Sequence, residues 1–230
     1  MKIFIPGVKT FIFGRYGSLL ICLVLVMILQ PTIDTQIGKL ILEVFFIAVL
    51  LAGLRAIQVD KGLLQFEMVL LVVSLACGAA GSLMDHELLF LLGLAGRLLF
   101  LVLVALHILL DLFRGSEVTG DKLAGAVCVY LLIALVCGYA FLITEFVTPE
   151  SFSFTQGQER MKLWVSKEFF PFFYFSLVTM TTVGYGDMAP VTPVARTLAT
   201  MEALVGQVYL TILVARLVGM FLVHQQKPEE

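Results

Sequence analysis

The segment Thr181-Thr182-Val183-Gly184-Tyr185-Gly186-Asp187 offers chemistry through its backbone. Successive carbonyl oxygens can face one line only if the backbone angles alternate in an unusual way. Gly184 and Gly186 permit the positive φ values that such alternation requires. Thr182 adds a hydroxyl at the inner end of the row, and Val183 and Tyr185 are left to turn their side chains away. Rings of oxygens of this kind replace the water shell of a dehydrated cation. One chain supplies only one wall, so a closed four-fold ring of chains is needed to surround the ion.

The preceding residues must position that wall. Residues 169–181 are almost wholly apolar and aromatic. As a helix they reach ~20 Å, which cannot cross the ~30 Å of hydrocarbon in a bilayer. Non-helical backbone at membrane depth survives only when buried in protein or lining water. The sequence therefore predicts a re-entrant unit: a half-length helix that enters from one side, stops midway and returns as an extended strand. The helix C-terminus near Met180 points the negative end of its dipole toward the ion path.

The rest of the chain fits a membrane setting. It is 60% hydrophobic and 14% charged over 230 residues, with a mean hydropathy of +1.02. Soluble domains are roughly half apolar and roughly a quarter charged. The net charge of −2 leaves no footprint for nucleic acid. Cys22, Cys77, Cys128 and Cys137 fall in apolar runs without metal spacing and read as small buried hydrophobes. No cofactor is expected beyond a permeant ion.

A crossing helix needs about 20 apolar residues. Six candidates satisfy this, at about 12–30, 38–57, 63–83, 87–111, 121–145 and 193–222. The predicted fold is thus an all-α membrane protein of six transmembrane helices plus the re-entrant pore helix and extended filter strand. Lys2, Lys9, Arg15, Arg55, Lys61, Arg114 and Lys122 cluster on one side of these spans, which places both termini in the cytoplasm and residues 146–192 outside. Residues 1–112 form a four-helix sensor-like domain, 113–223 a pore domain, and 224–230 a short cytoplasmic tail.

Thr182 to Gly186 resemble, without a change, the TVGYG filter signature of the potassium-channel family, and Thr181 and Asp187 match its usual flanks. The resemblance covers about 121–222. It implies a homotetramer in a cell membrane that passes potassium down its gradient. Potassium would be held at Thr182, Val183, Gly184 and Tyr185, with Gly186 completing the filter. Gly206, 22 residues after Gly184, falls where the family's inner-helix hinge lies. Tyr174 and Phe175 fall where two aromatics form a cuff around the filter. Asp187 and Arg196 fit a pair at the outer mouth, and Thr179 joins the filter's supports. Some bacterial members carry a glutamate where Val178 stands here. Glu202 is a candidate replacement from the last helix, or else an acid satisfied by Thr179 or water. Ala203, Gln207, Leu210 and Val214 recur at helical spacing around and below Gly206 and are expected to line a cavity. Arg216 is expected at the cytoplasmic gate, beside Asp111 or Glu117.

The fourth span departs from a voltage sensor. Every third residue reads Leu88, Leu91, Leu94, Arg97, Phe100, Leu103. A steep sensor moves roughly 3–4 charges per subunit, and one arginine falls short. Arg97 is expected to pair with Glu43 or Glu67, and His107 with Asp111 one turn on. Gly78 to Gly81, Gly93 and Gly96 read as close helix packing.

The expected activity is potassium-selective conduction with weak or no voltage dependence. An intact Tyr185 argues against a weakly selective sodium and potassium channel, which commonly carries an acid there. A non-conducting accessory subunit would have no need of an intact filter. No His, Cys or acid cluster at the membrane face supports an enzyme.

Overall fold

The computed structural model describes residues 14–29, 61–114, 120–154 and 168–225. Their elements, in chain order, are α1 (Arg15–Leu29), α2 (Lys61–Leu83), α3 (Glu87–Arg114), α4 (Gly120–Val147), β1 (Phe152–Phe154), α5 (Phe170–Met180), β2 (Met188–Pro190) and α6 (Pro193–Gln225). Among the described residues, α2, α3, α4 and α6 are long and apolar enough to cross a membrane. With 15 residues, α1 spans only ~22 Å. The expected span at 38–57 lies outside the described residues, as do Glu43 and Glu117.

The chain divides into two compact bodies. One comprises residues 59–103 and 132–209, the other 1–58, 104–131 and 210–230.

In the first body, α2 and α3 pack backbone to backbone, as their small residues predict. A Cβ on Gly93 would stand 2.5 Å from the Gly78 Cα, and one on Gly81 would stand 2.3 Å from the Phe90 amide nitrogen. No larger residue fits at either place. The Arg97 guanidinium lies against Gly78, where an added Cβ would be 2.9 Å away. Gly78 is eleven residues, or ~16 Å, along α2 from Glu67, so Glu67 is out of reach of Arg97. The expected Arg97–Glu67 pair is not formed.

A two-stranded sheet was not foreseen. β1 runs antiparallel to β2, with Phe152 opposite Pro190, Ser153 opposite Ala189 and Phe154 opposite Met188. Phe152 and Phe154 are buried and Ser153 is exposed, the alternation expected of a half-buried strand. Glu145, near the end of α4, anchors the approach to β1. Its Oε1 accepts from the Glu150 amide at 3.0 Å and its Oε2 from the Phe152 amide at 3.1 Å.

In the second body, Tyr16 is the anchor of α1 and is 1% exposed. Its hydroxyl donates to Asp111 Oδ2 at 2.5 Å, and its amide donates to Asp121 Oδ1 at 3.0 Å. Asp111 therefore has Tyr16 as a partner, which spacing along the chain does not suggest. Gly125 leaves room for the tyrosine ring, since a Cβ there would be 2.9 Å from Cδ2. The Arg216 guanidinium lies 4.8 Å from the centre of the Phe113 ring, a cation–π contact.

Candidate pore and ion path

The short helix α5 begins with Pro171 in its first turn, where the missing N–H costs nothing. Its 11 residues end at Met180, a length of ~16 Å. Phe172, Phe173, Phe175, Ser176 and Met180 are buried. Phe175 and Phe172 meet Phe152 of β1 edge-on, and Phe175 also meets Phe141 of α4. Close backbone contact holds α5 to α4 as well: a Cβ on Gly138 would be 3.1 Å from the Phe173 Cα.

Beyond Met180 the chain leaves the helix. The Thr181 amide donates to the Leu177 carbonyl at 3.0 Å, Thr182 to Thr179 at 3.0 Å, and Val183 to Val178 at 3.0 Å. The backbone then alternates. Thr182, Gly184 and Gly186 have φ values of +59°, +57° and +75°. The two glycines were expected there. A positive φ at Thr182 was not, because a β-branched residue adopts it only under constraint. The surrounding hydrogen bonds supply that constraint at a cost of about 1–3 kcal/mol.

The outer end is tied down. Tyr174 donates its hydroxyl to Asp187 Oδ2 at 2.8 Å, and Asp187 Oδ1 accepts from the Met188 amide at 3.1 Å. The rings of Tyr174 and Tyr185 lie parallel, 6.5 Å between centres. Met188 then enters β2. Within one chain Asp187 and Arg196 take different partners, for Arg196 Nε donates to the Pro190 carbonyl at 3.2 Å. Of the two expected cuff residues, Tyr174 stands at the outer end of the Thr181–Asp187 segment and Phe175 joins the aromatic cluster with Phe141 and Phe152.

This arrangement has relatives. Residues 125–223 match the family model described as an ion channel. The two-pore potassium channel 4 of Arabidopsis thaliana is 34% identical over 91 residues, which is 40% of this chain and 26% of that protein. A voltage-gated potassium channel of Aeropyrum pernix is 32% identical over 91 residues, again 40% of this chain and 26% of that protein. The inward rectifier potassium channel Kirbac3.1 of Paramagnetospirillum magnetotacticum is 50% identical over 40 residues, 17% of this chain and 14% of that protein. Residues 125–223 are thus similar to ion channels, and stretches of the chain to the potassium channels named. The matched stretches cover about a quarter or less of these curated relatives' own length. No solved structure matches the chain.

α6 stands where the sequence places the inner helix. Gly206 is buried in it, and a Cβ there would meet the Met180 carbonyl oxygen at 3.3 Å. The helix runs unbroken through this glycine. Ala203, Gln207, Leu210 and Val214 follow the expected one-face spacing, with Gln207 and Val214 exposed. Glu202 is 2% exposed. Its carboxyl Oε1 is hydrogen-bonded to Ser176 on α5, and among the described residues Oε2 accepts no hydrogen bond. Thr179, the expected partner, instead contributes its carbonyl to the turn at Thr182. Sequence reasoning passed over Ser176 and Glu145. For Ser176 one signal was present: it is a hydroxyl in the middle of a helix that is otherwise aromatic and aliphatic.

Proposed function

We propose that the chain is one subunit of a homotetrameric potassium-selective channel, with residues 1–112 as a sensor-like domain and 113–223 as the pore. The carrying observation is the run of positive φ at Thr182, Gly184 and Gly186. Alternation of left- and right-handed backbone turns successive carbonyls to one side, which is what coordination of a dehydrated cation needs. The ion is held at Thr182, Val183, Gly184 and Tyr185, and Gly186 completes the filter.

The single chain leaves this wall bare. Val183 is 51% exposed and Tyr185 is 71% exposed. Large apolar side chains of this kind call for a covering surface. Three further copies around a four-fold axis supply it and close the ring. On α6, Met201, Leu204, Val205 and Val208 are likewise exposed and meet neighbouring copies or lipid. The site is in a cell membrane, with six spans per subunit, both termini cytoplasmic and the filter's Asp187 end outside. Gly206 acts as the inner-helix pivot, and Ala203, Gln207, Leu210 and Val214 face the cavity.

Purified protein in planar bilayers tests this. Reversal potentials under opposed potassium and sodium gradients are expected to follow potassium, with block by external barium, whose radius is close to that of potassium. Equal permeability to the two ions would refute the reading. Tyr185→Asp is expected to weaken the preference by removing the side-chain packing that holds the carbonyl rings.

A further inference from the structure

Two contacts join α5 to α6, one turn apart on each helix. Ser176 meets Glu202, and Met180 meets Gly206. The interval is four residues on both helices, so the two form successive rungs of one ladder. The first rung is polar and the second is a backbone contact. A third helix is attached to the first rung. The Ser176 hydroxyl also lies 2.8 Å from the Ala134 carbonyl of α4. Ser176 is 0% exposed and Glu202 is 2% exposed. Polar groups this deeply buried constrain geometry strongly, because breaking one bond leaves its partner unsatisfied.

We infer that Glu202 is a positioning residue for conduction, which sets the seat of α5 between α4 and α6 through its hydrogen bond to Ser176 and so sets the height of Thr182 at the inner end of the filter. This inference rests on the reading of Thr182–Gly186 as a potassium filter. Met180 ends α5 two residues before Thr182. A shift of the helix at Ser176 therefore passes to the filter without any flexible linker. Ser176 has one hydroxyl proton and two oxygens within reach. It donates to the Glu202 carboxylate, or it donates to the Ala134 carbonyl and accepts from a protonated Glu202. A glutamine reproduces both arrangements, since its amide carries an acceptor and a donor. Hydrogen bonding and shape, rather than charge, are then what the position requires.

The experiment compares potassium to sodium permeability ratios for wild type, E202Q, E202A, S176A and E202A/S176A, with thermal unfolding of each purified protein. The ratio is expected to stay within about twofold of wild type in E202Q and to fall about tenfold in E202A and in S176A, as loss of a buried hydrogen bond implies. The double variant should be no worse than E202A. Glu202→Met, which keeps volume without the hydrogen bond, replaces E202A if the alanine variant does not fold. An unmoved ratio in E202A and S176A overturns the inference even if both melt earlier, and so do E202Q as damaged as E202A or fully additive effects. A wild-type channel without potassium preference sinks the filter reading instead. The ladder is then judged by melting alone, where additive losses in the double variant refute the pairing.

Discussion

Gly206 and Met180 approach so closely that a Cβ on the glycine would stand 3.3 Å from the Met180 carbonyl oxygen. The inner helix thus touches the last residue of the pore helix through bare backbone. Alanine gains about 1 kcal/mol of helix propensity over glycine, which offsets the small displacement it forces. Gly206→Ala is therefore expected to unfold within a few degrees of wild type. Gly206→Val should lose about 1–3 kcal/mol from overpacking against the Met180 backbone. Thermal unfolding of the purified variants checks both. A valine variant as stable as wild type would show that the contact imposes nothing. A stable alanine variant with reduced opening would separate a pivoting role from packing.

Tyr174 and Asp187 join the start of the pore helix to the outer end of the filter by one hydrogen bond of 2.8 Å. Tyr174→Phe removes only the donor. The expected cost is about 0.5–1.5 kcal/mol, at the lower end because the pair is exposed to solvent. Asp187→Asn keeps an acceptor and should do less than Asp187→Ala. Combining Tyr174→Phe with Asp187→Ala should add little to either. The decay of potassium current during sustained opening is the measurement, and identical decay in wild type and Tyr174→Phe would count against the bond as a support.

The filter and the helices around it were legible because each rests on a local requirement. Only glycine takes positive φ freely, so Gly184 and Gly186 announced their backbone. Apolar length announced α2, α3, α4 and α6, whose ends lie within a few residues of those expected. β1 was hidden for the opposite reason. Three residues are too few for a periodic signal, and its partner Ala189 lies 36 positions beyond Ser153. The role of Glu145 was hidden with it, since its acceptors' work depends on where Phe152 runs. The choice of Ser176 over Thr179 as partner of Glu202 depends on the rotation of α5 against α6, which no spacing rule supplies. Thr182 was expected for its hydroxyl, while its left-handed backbone runs against the preference of a β-branched residue and is imposed by the fold.

Tyr16 secures the first helix to two acids on either side of the α3–α4 connection, Asp111 and Asp121. Tyr16→Phe leaves the Asp111 carboxyl without its hydroxyl donor and should cost about 1–3 kcal/mol. Tyr16→Ala should cost more, about 3–5 kcal/mol, since it also empties the space beside Gly125. Gly125→Leu should be comparably damaging with Tyr16 present and much milder in Tyr16→Ala, where the ring is gone. Thermal unfolding of the four variants decides this. Equal damage from Gly125→Leu in both backgrounds would mean that the ring and the glycine do not constrain each other.

Voltage is the last test. A helix in the fourth position invites the assumption of a sensor, yet Arg97 is the one charged residue in its every-third series. Carrying one elementary charge through 100 mV is worth ~2.3 kcal/mol. In the proposed tetramer four such charges give ~9 kcal/mol, and only if each crosses the whole field. The structure adds a mechanical objection. α3 is seated against α2 at Gly81 and Phe90, at Gly78 and Gly93, and at Ser74 and Gly96, all at distances that exclude a methyl group. Sliding α3 by one turn, ~5.4 Å, would bring side chains against those glycine notches. The guanidinium itself lies against Gly78, with no second arginine one turn away to replace it. The expected conductance–voltage curve in symmetric potassium is therefore shallow, with current present on both sides of zero. A steep sigmoid equivalent to about ten gating charges per channel would show that charge moves through this domain by a route the α2–α3 packing does not allow.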